Sequence, residues 1–372
     1  MNKRLAFILL CCVVLACVGG CFYFELFSEN SSSISISAGA QHSLIVKNGK
    51  LYGAGNNECG QLGDGSIIDK GTFEFIMKNV DKVKAGSFYS LILKKDNSLW
   101  AVGRNGHGEL GIGTVLDKRF PVKVIDNVRD MWVGEMHTFF LKQNGTLLGC
   151  GFNYHGQLAS NEWYNKLFPI KIKKKNGEVF NKVKMAALGY GHSLVLTKDG
   201  VLWGIGNNKY GQLGKTREED VCKPIKIAEN VLYVDAGLFF TLFVKRDYTL
   251  WGLGNNDYGQ LGDGSRKNKF TPVKIMNDVK KVSAGVGFTM ILKSDGSLWA
   301  VGNNEYGQLG TGDNKNRLLP VEVLCCVKDV VAGYYHTLVL KKDDTIWATG
   351  NNEYGQLGDG TFVNKNEFIR VF

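Results

Sequence analysis

The chain has 372 residues, a hydrophobic fraction of 44% and a formal charge of +10 at pH 7. That length holds one large domain or two ordinary ones, and the apolar content is that of a globular core. Forty-seven Gly against five Pro excludes a collagen-like chain, which needs far more Pro and a three-residue period; the glycines mark backbone that needs positive φ or close approach.

The chain opens with a short basic stretch, Met1–Arg4, followed by twenty uncharged residues, Leu5–Phe24. A secretory signal has this order of parts, and a transmembrane helix has this length. Val18-Gly19-Gly20-Cys21 resembles a bacterial lipoprotein processing box, which would make Cys21 the lipid-bearing residue; Gly19 departs from that pattern. Phe22-Tyr23-Phe24 prolongs the apolar run and favours an uncleaved hydrophobic helix. Residues 1–30 are therefore read as a signal or membrane anchor with a short linker. Lys3 and Arg4 stay on the cytoplasmic side, and the main domain, 31–372, is exported.

From residue 31 onward the chain repeats itself. The phrase Gly-Asn-Asn-x-x-Gly-Gln-Leu-Gly starts at Gly55, Gly103, Gly151, Gly206, Gly254, Gly302 and Gly350. Successive copies are 48 residues apart, except for 55 between Gly151 and Gly206. A second phrase, Ala-Gly-x-x-His-Ser/Thr-Leu, precedes each copy, with its Gly at Gly39, Gly86, Gly134, Gly189, Gly237, Gly285 and Gly333. Between the phrases lie two apolar runs around a turn, as in Phe288–Leu292, Asp295-Gly296 and Leu298–Gly302, the pattern of a β-hairpin. A third and a fourth apolar run complete each unit. Seven four-stranded units without helical periodicity predict an all-β, seven-bladed propeller. The chain stops nine residues short of an eighth Ala-Gly, and Ser31–Gly39 supplies nine. This arithmetic predicts that the N- and C-terminal strands share one blade, Phe368–Phe372 completing the sheet begun by the first copy.

These phrases resemble the repeat of the regulator-of-chromosome-condensation family, over Ser31 to Phe372. The resemblance implies a propeller that binds other macromolecules; nuclear members exchange nucleotide on a small GTPase and bind chromatin, and secreted bacterial relatives grip other proteins. An exported N-terminus departs from the nuclear pattern and argues against nucleic acid as partner.

The repeated polar residues read as structural. No glycine phrase has phosphate-loop spacing or opens a helix; the Gln at 61, 212, 260, 308 and 356 are expected to bond the backbone of a neighbouring blade. His42, His137, His192 and His336 share a position with Tyr89, Phe240 and Phe288. An aromatic body is what that position needs, which excludes a metal or a catalytic base. Trp100, Trp203, Trp251, Trp299 and Trp347 share another position and are read as packing between blades, with a sugar-stacking platform as the alternative. Nine Cys include no CxxC pair, so neither a zinc knuckle nor a disulfide framework is expected. Cys325 and Cys326, placed in a strand, would point to opposite faces. No cofactor is expected, and no unique acidic pair suggests hydrolysis.

The repeat breaks once, between copies three and four. Ile170 to Phe180 contains Lys173-Lys174-Lys175 and the hairpin signal Asn176-Gly177, so two strands are expected to project here. Just before it Ala159 replaces a Gly, and Trp163 and Tyr164 follow. Trp163, Tyr164, Lys173, Lys174, Lys175 and Phe180 form the candidate contact patch, since Trp and Tyr concentrate binding energy at interfaces and the lysines suit an acidic macromolecule. The sequence thus points to a monomeric, membrane-tethered binding scaffold. The alternatives are a guanine-nucleotide exchange factor and a carbohydrate-binding propeller.

Overall fold

A computed structural model describes residues 33–372 apart from 161, 175, 181 and 215–218. The expected N-terminal helix, Cys21 and Lys175 lie outside the described residues. Among those described, no helix is long and apolar enough to cross a membrane.

Seven four-stranded antiparallel sheets follow one another along the chain: 34–78, 80–125, 128–171, 183–228, 231–276, 279–324 and 327–370. In each blade the strands pair in sequence order. The first strand lines a central channel of about 170 Å³, walled by the strand ends of all seven blades. The second strands, such as Leu44–Val46, Phe139–Leu141 and Leu194–Leu196, are wholly buried. One blade cannot cover both its faces, so the apolar cores form between neighbours: Leu44, Val46 and Leu51 of blade 1 pack against Val83, Ile92 and Val102 of blade 2.

The shared-blade expectation is wrong. Lys365–Arg370 pairs with Ile346–Gly350 of its own blade, and Ile34–Ala38 pairs with His42–Lys47 of the first. The glycine phrases fall inside the blade, after its first and third strands, so counting from them misplaced its beginning. The ring is sealed by faces instead. Ile36 and Ile45 pack against Leu338, Leu340, Ile346 and Leu357. Gly360 N–H donates to Gly71 O at 2.9 Å and Tyr334 N–H to Gly39 O at 3.1 Å. The same contacts join the other blades: Gly312 N–H donates to Asn366 O and Gly113 N–H to Leu167 O. Residues 33–372 therefore contain everything the ring needs.

The two phrases have separate structural reasons. In the Gly-Asn-Asn loop the second Asn is a buried hub: Asn57 accepts from Leu62 N–H at 3.0 Å and donates to Asp64, Ser66 and Ile68. The Gln side chain stays in its own loop, contrary to expectation: Gln260 donates to Asn255 at 2.7 Å and accepts from Tyr258 N–H. The glycine of Ala-Gly lies under the aromatic ring three residues on; a Cβ at Gly86 would stand 2.3 Å from Tyr89, which no side chain can tolerate. Gly55, with φ +102°, holds backbone only 2.4 Å from where its Cβ would be.

This topology gives the disc two unlike faces. The corner after each first strand and the long Gly-rich loops lie on one. The tight turns between second and third strands, and the connections between blades, lie on the other. Ser33 enters on the second face, its carbonyl accepting from Asn48 N–H in the first tight turn.

Candidate functional site

The break in the repeat builds a cleft on the rim. After the outermost strand of blade 3, Lys166–Lys171, the chain turns inward at Ile172, whose N–H donates to Leu147 O at 3.0 Å. Lys173 bridges to Val179, Lys174 N–H donates to Glu178 O at 2.7 Å, and Gly177 takes φ +84°. The hairpin is real but short. Only its tip projects, because Ile172 and Phe180 are fully buried in the core between blades 3 and 4. Phe180 meets Trp203 of the next blade edge-on, ring centroids 6.1 Å apart. Phe180 therefore belongs to the core and not to a contact surface: the gap left by the longer interval needed an apolar filler.

Between this hairpin and blade 4 lies a cleft of about 570 Å³. Glu162, Lys171, Lys173 and Lys174 line one side, Cys222 and Lys223 the other. Lys174 stands 3.8 Å from Glu178. Lys171, Lys173 and Lys223 form no ion pair with a described residue, so the cleft presents three cationic heads unpaired among the described residues. Glu162 is paired with Lys166; the Lys166 and Tyr164 side chains hold its carboxyl below the usual range. Trp163 and Tyr164 are about half exposed and stand outside the cleft wall, Tyr164 under the Lys166 ammonium at 3.7 Å. The structure thus brings Lys173 and Lys174 together with Lys171 and Lys223. Lys223 lies in the next blade, and only the order of blades around the ring would have revealed it.

The His and Ser series is structural. Each Ser or Thr donates across a blade junction to the carbonyl of the Gln position: Ser90 to Gln61, Ser193 to Gln157 and Ser43 to Gln356, at 2.7, 2.9 and 2.6 Å. A hydroxyl has one proton to give, so it accepts from the His of the preceding blade. His42, His137 and His336 Nε2 lie 2.9 Å from Ser90, Ser193 and Ser43. Their Nε2 therefore carries the hydrogen, and Nδ1 is buried and unpartnered. Burial lowers each imidazole to about 3. Such rings are fixed donors and cannot serve as bases. His155 bridges to Asp220 of blade 4 at 2.9 Å. The Trp rings are half-buried in the cores between blades; Trp100 and Trp251 carry Lys94 and Lys245 over them at 3.8 and 4.4 Å.

Sequence reasoning missed the channel mouth on the Gly-rich face. Tyr190, Phe239 and Tyr210 pack there as tilted rings with centroids 5.4 and 5.1 Å apart, and Tyr306 meets Tyr335 at 5.2 Å. Tyr190, Phe239 and Tyr335 occupy the variable places of Ala-Gly-x-x-His, which a reading of repeated residues passes over. Glu109 and Glu135 lie near the same face, both carboxyls pushed up to about 7 by burial. Among the described residues no cluster could hold a metal ion.

Comparison with known proteins bears on this architecture. A family model described as RCC1-like domain matches residues 24–276 and 126–371. Human WBSCR16 superposes with a TM-score of 0.74 at 22% identity, covering 84% of this chain and 88% of that one. Prp20p from Saccharomyces cerevisiae, whose structure was described with its binding to Gsp1p and histones, superposes at 0.76 with 20% identity, covering 86% and 85%. No curated protein matches the chain.

Proposed function

The chain belongs to the RCC1-like domain family, and from that premise we propose that it is a binding scaffold whose rim cleft receives an acidic segment of another protein. One observation carries the reading: the only long interval of the repeat creates a cleft with three lysines unpaired among the described residues. A polyanionic strand would supply the missing counter-charge, and charge of one sign in a cleft also steers encounter. Residues Leu5–Phe24 support a second part of the proposal, that the ring is held at a membrane and exposed on the extracytoplasmic side. Substituting Lys171, Lys173, Lys174 and Lys223 by Glu should abolish the partner cross-links formed by wild type in the native cell, with an unchanged melting temperature. Identical cross-linked partners in wild type and variant would remove the cleft from consideration.

A second reading is nucleotide exchange on a small GTPase. It is supported by the likeness to Prp20p, described with its binding to Gsp1p, and by a hairpin on the rim of blade 3. Release of a fluorescent GDP analogue from purified small GTPases, accelerated by wild type but not by the four-lysine variant, would favour it. It also requires the ring to face the cytoplasm, so protease protection on intact cells separates the two readings.

A further inference from the structure

The tight-turn face of the ring carries an excess of positive charge, and the repeat is the cause. The second strand of each blade ends on the tight-turn face. It ends in Lys at Lys47, Lys94, Lys142, Lys245, Lys293 and Lys341, and in Thr197 in blade 4. The turn then adds exposed Lys95, Lys198, Arg246 and Lys342. Nearer the channel, Lys184 and Lys280 stand exposed at the second residue of the first strands, as does Lys328, which is paired with Asp344 at 2.7 Å, while Asp81 holds that place in blade 2. Asp96, Asp199, Asp247, Asp295 and Asp343 share these turns and are bonded to the Ser or Thr of their own turns. Basic residues outnumber acidic ones on this face. The opposite face is mixed: the first variable place of the Gly-Asn-Asn phrase is exposed Glu58, Asp257, Glu305 and Glu353 in four blades but Lys209 in blade 4, and the loops beside it expose Arg266, Lys267 and Lys315.

We infer that the lysine face docks on an anionic lipid surface. The inference rests on the proposed membrane tether, which selects lipid over other polyanions. Ser33 enters the ring on the lysine face. Only residues 25–32 separate it from the uncharged stretch, and eight residues reach at most about 28 Å when fully extended. A ring on so short a leash presents to the bilayer the face on which the chain enters. Juxtamembrane lysines add attraction to anionic headgroups that decays within a Debye length, about 8 Å at physiological salt, so a flat ring of them acts only when laid against the surface. The rim cleft and the Gly-rich face are then left open to other partners.

Residues 33–372 close into a ring by themselves, so they can be tested without the tether. The ring should partition roughly tenfold or more in favour of phosphatidylcholine vesicles containing about one-third phosphatidylglycerol over pure phosphatidylcholine, and lose that preference in about 0.5 M salt. The variant Lys95→Gln, Lys198→Gln, Lys280→Gln, Lys342→Gln should bind the anionic vesicles roughly tenfold more weakly at an unchanged melting temperature. Equal partition into both vesicles, or tighter binding to duplex DNA than to the anionic vesicles, overturns the inference. The tether is tested separately, by alkaline carbonate extraction of membranes carrying the full chain. Release there with anionic binding intact rejects the tether and leaves the face; retention without anionic binding does the reverse.

Discussion

At the residue scale, four histidines hold blade junctions by being neutral. In the unfolded chain they bind protons near 6.5; in the ring His42, His137, His192 and His336 are lowered to about 3 by burial. Between those values the unfolded state binds more protons, so stability falls as pH drops, by up to about 1.4 kcal/mol per pH unit for each ring. Glu109 and Glu135 act in the opposite sense between 4.5 and about 7, where the folded state binds more protons; below 4.5 carboxylates held low against the cost of burial by their hydrogen bonds, such as Asp263 at about 2, add to the histidine effect. Replacing all four His by Phe, the residue at positions 240 and 288, should flatten the acid limb of stability measured by urea melts from pH 7 to 4. An unchanged limb would show that these rings do not control it. The exchange of His with Phe and Tyr was legible in sequence; the Ser partner was not, because it lies one blade away. The Cys pair was misread: Cys325 and Cys326 are free, exposed and at a turn, Cys326 at φ +60° where other blades place Asn79, Asn127 or Asp278.

At the element scale, the short hairpin divides labour between neighbours in sequence. Phe180→Ala should cost about 3–5 kcal/mol, the range for emptying a buried aromatic site. Lys173→Glu should shift stability by no more than about 0.5 kcal/mol, since its side chain is exposed. Chemical denaturation of both variants checks the contrast, and equal effects would mean that Phe180 is not the filler described. The turn at Asn176-Gly177 could be read directly, because it is a local preference. The inward course of Ile172 and Phe180 could not, because it answers to a gap between two blades that exists only once the ring has formed. The same limit applies to Lys223, which joins the cleft through wrapping alone.

At the scale of the whole molecule, the number of blades and their four strands followed from the repeat, since seven copies of one unit with four apolar runs each admit few arrangements. The seal did not follow, because strand exchange and face-to-face closure leave the same residue count. The structure makes the junction between blades 7 and 1 like the others: Ser43 donates to Gln356 as Thr289 donates to Gln260. Ser90 likewise donates to Gln61 and accepts from a buried His, so Ser43→Ala and Ser90→Ala should destabilise by similar amounts, about 1–3 kcal/mol each. A much larger loss at Ser43, measured by the same melts, would reveal a special seam.

A ring without a latch also has a mechanical character of its own. Pulled by its two ends in an optical trap, it should peel from either terminus in a saw-tooth of near-equal steps, each releasing one blade's length of polypeptide. A strand shared between the ends would instead hold the load until a single high rupture. Under tension between its ends, this disc can yield in graded portions.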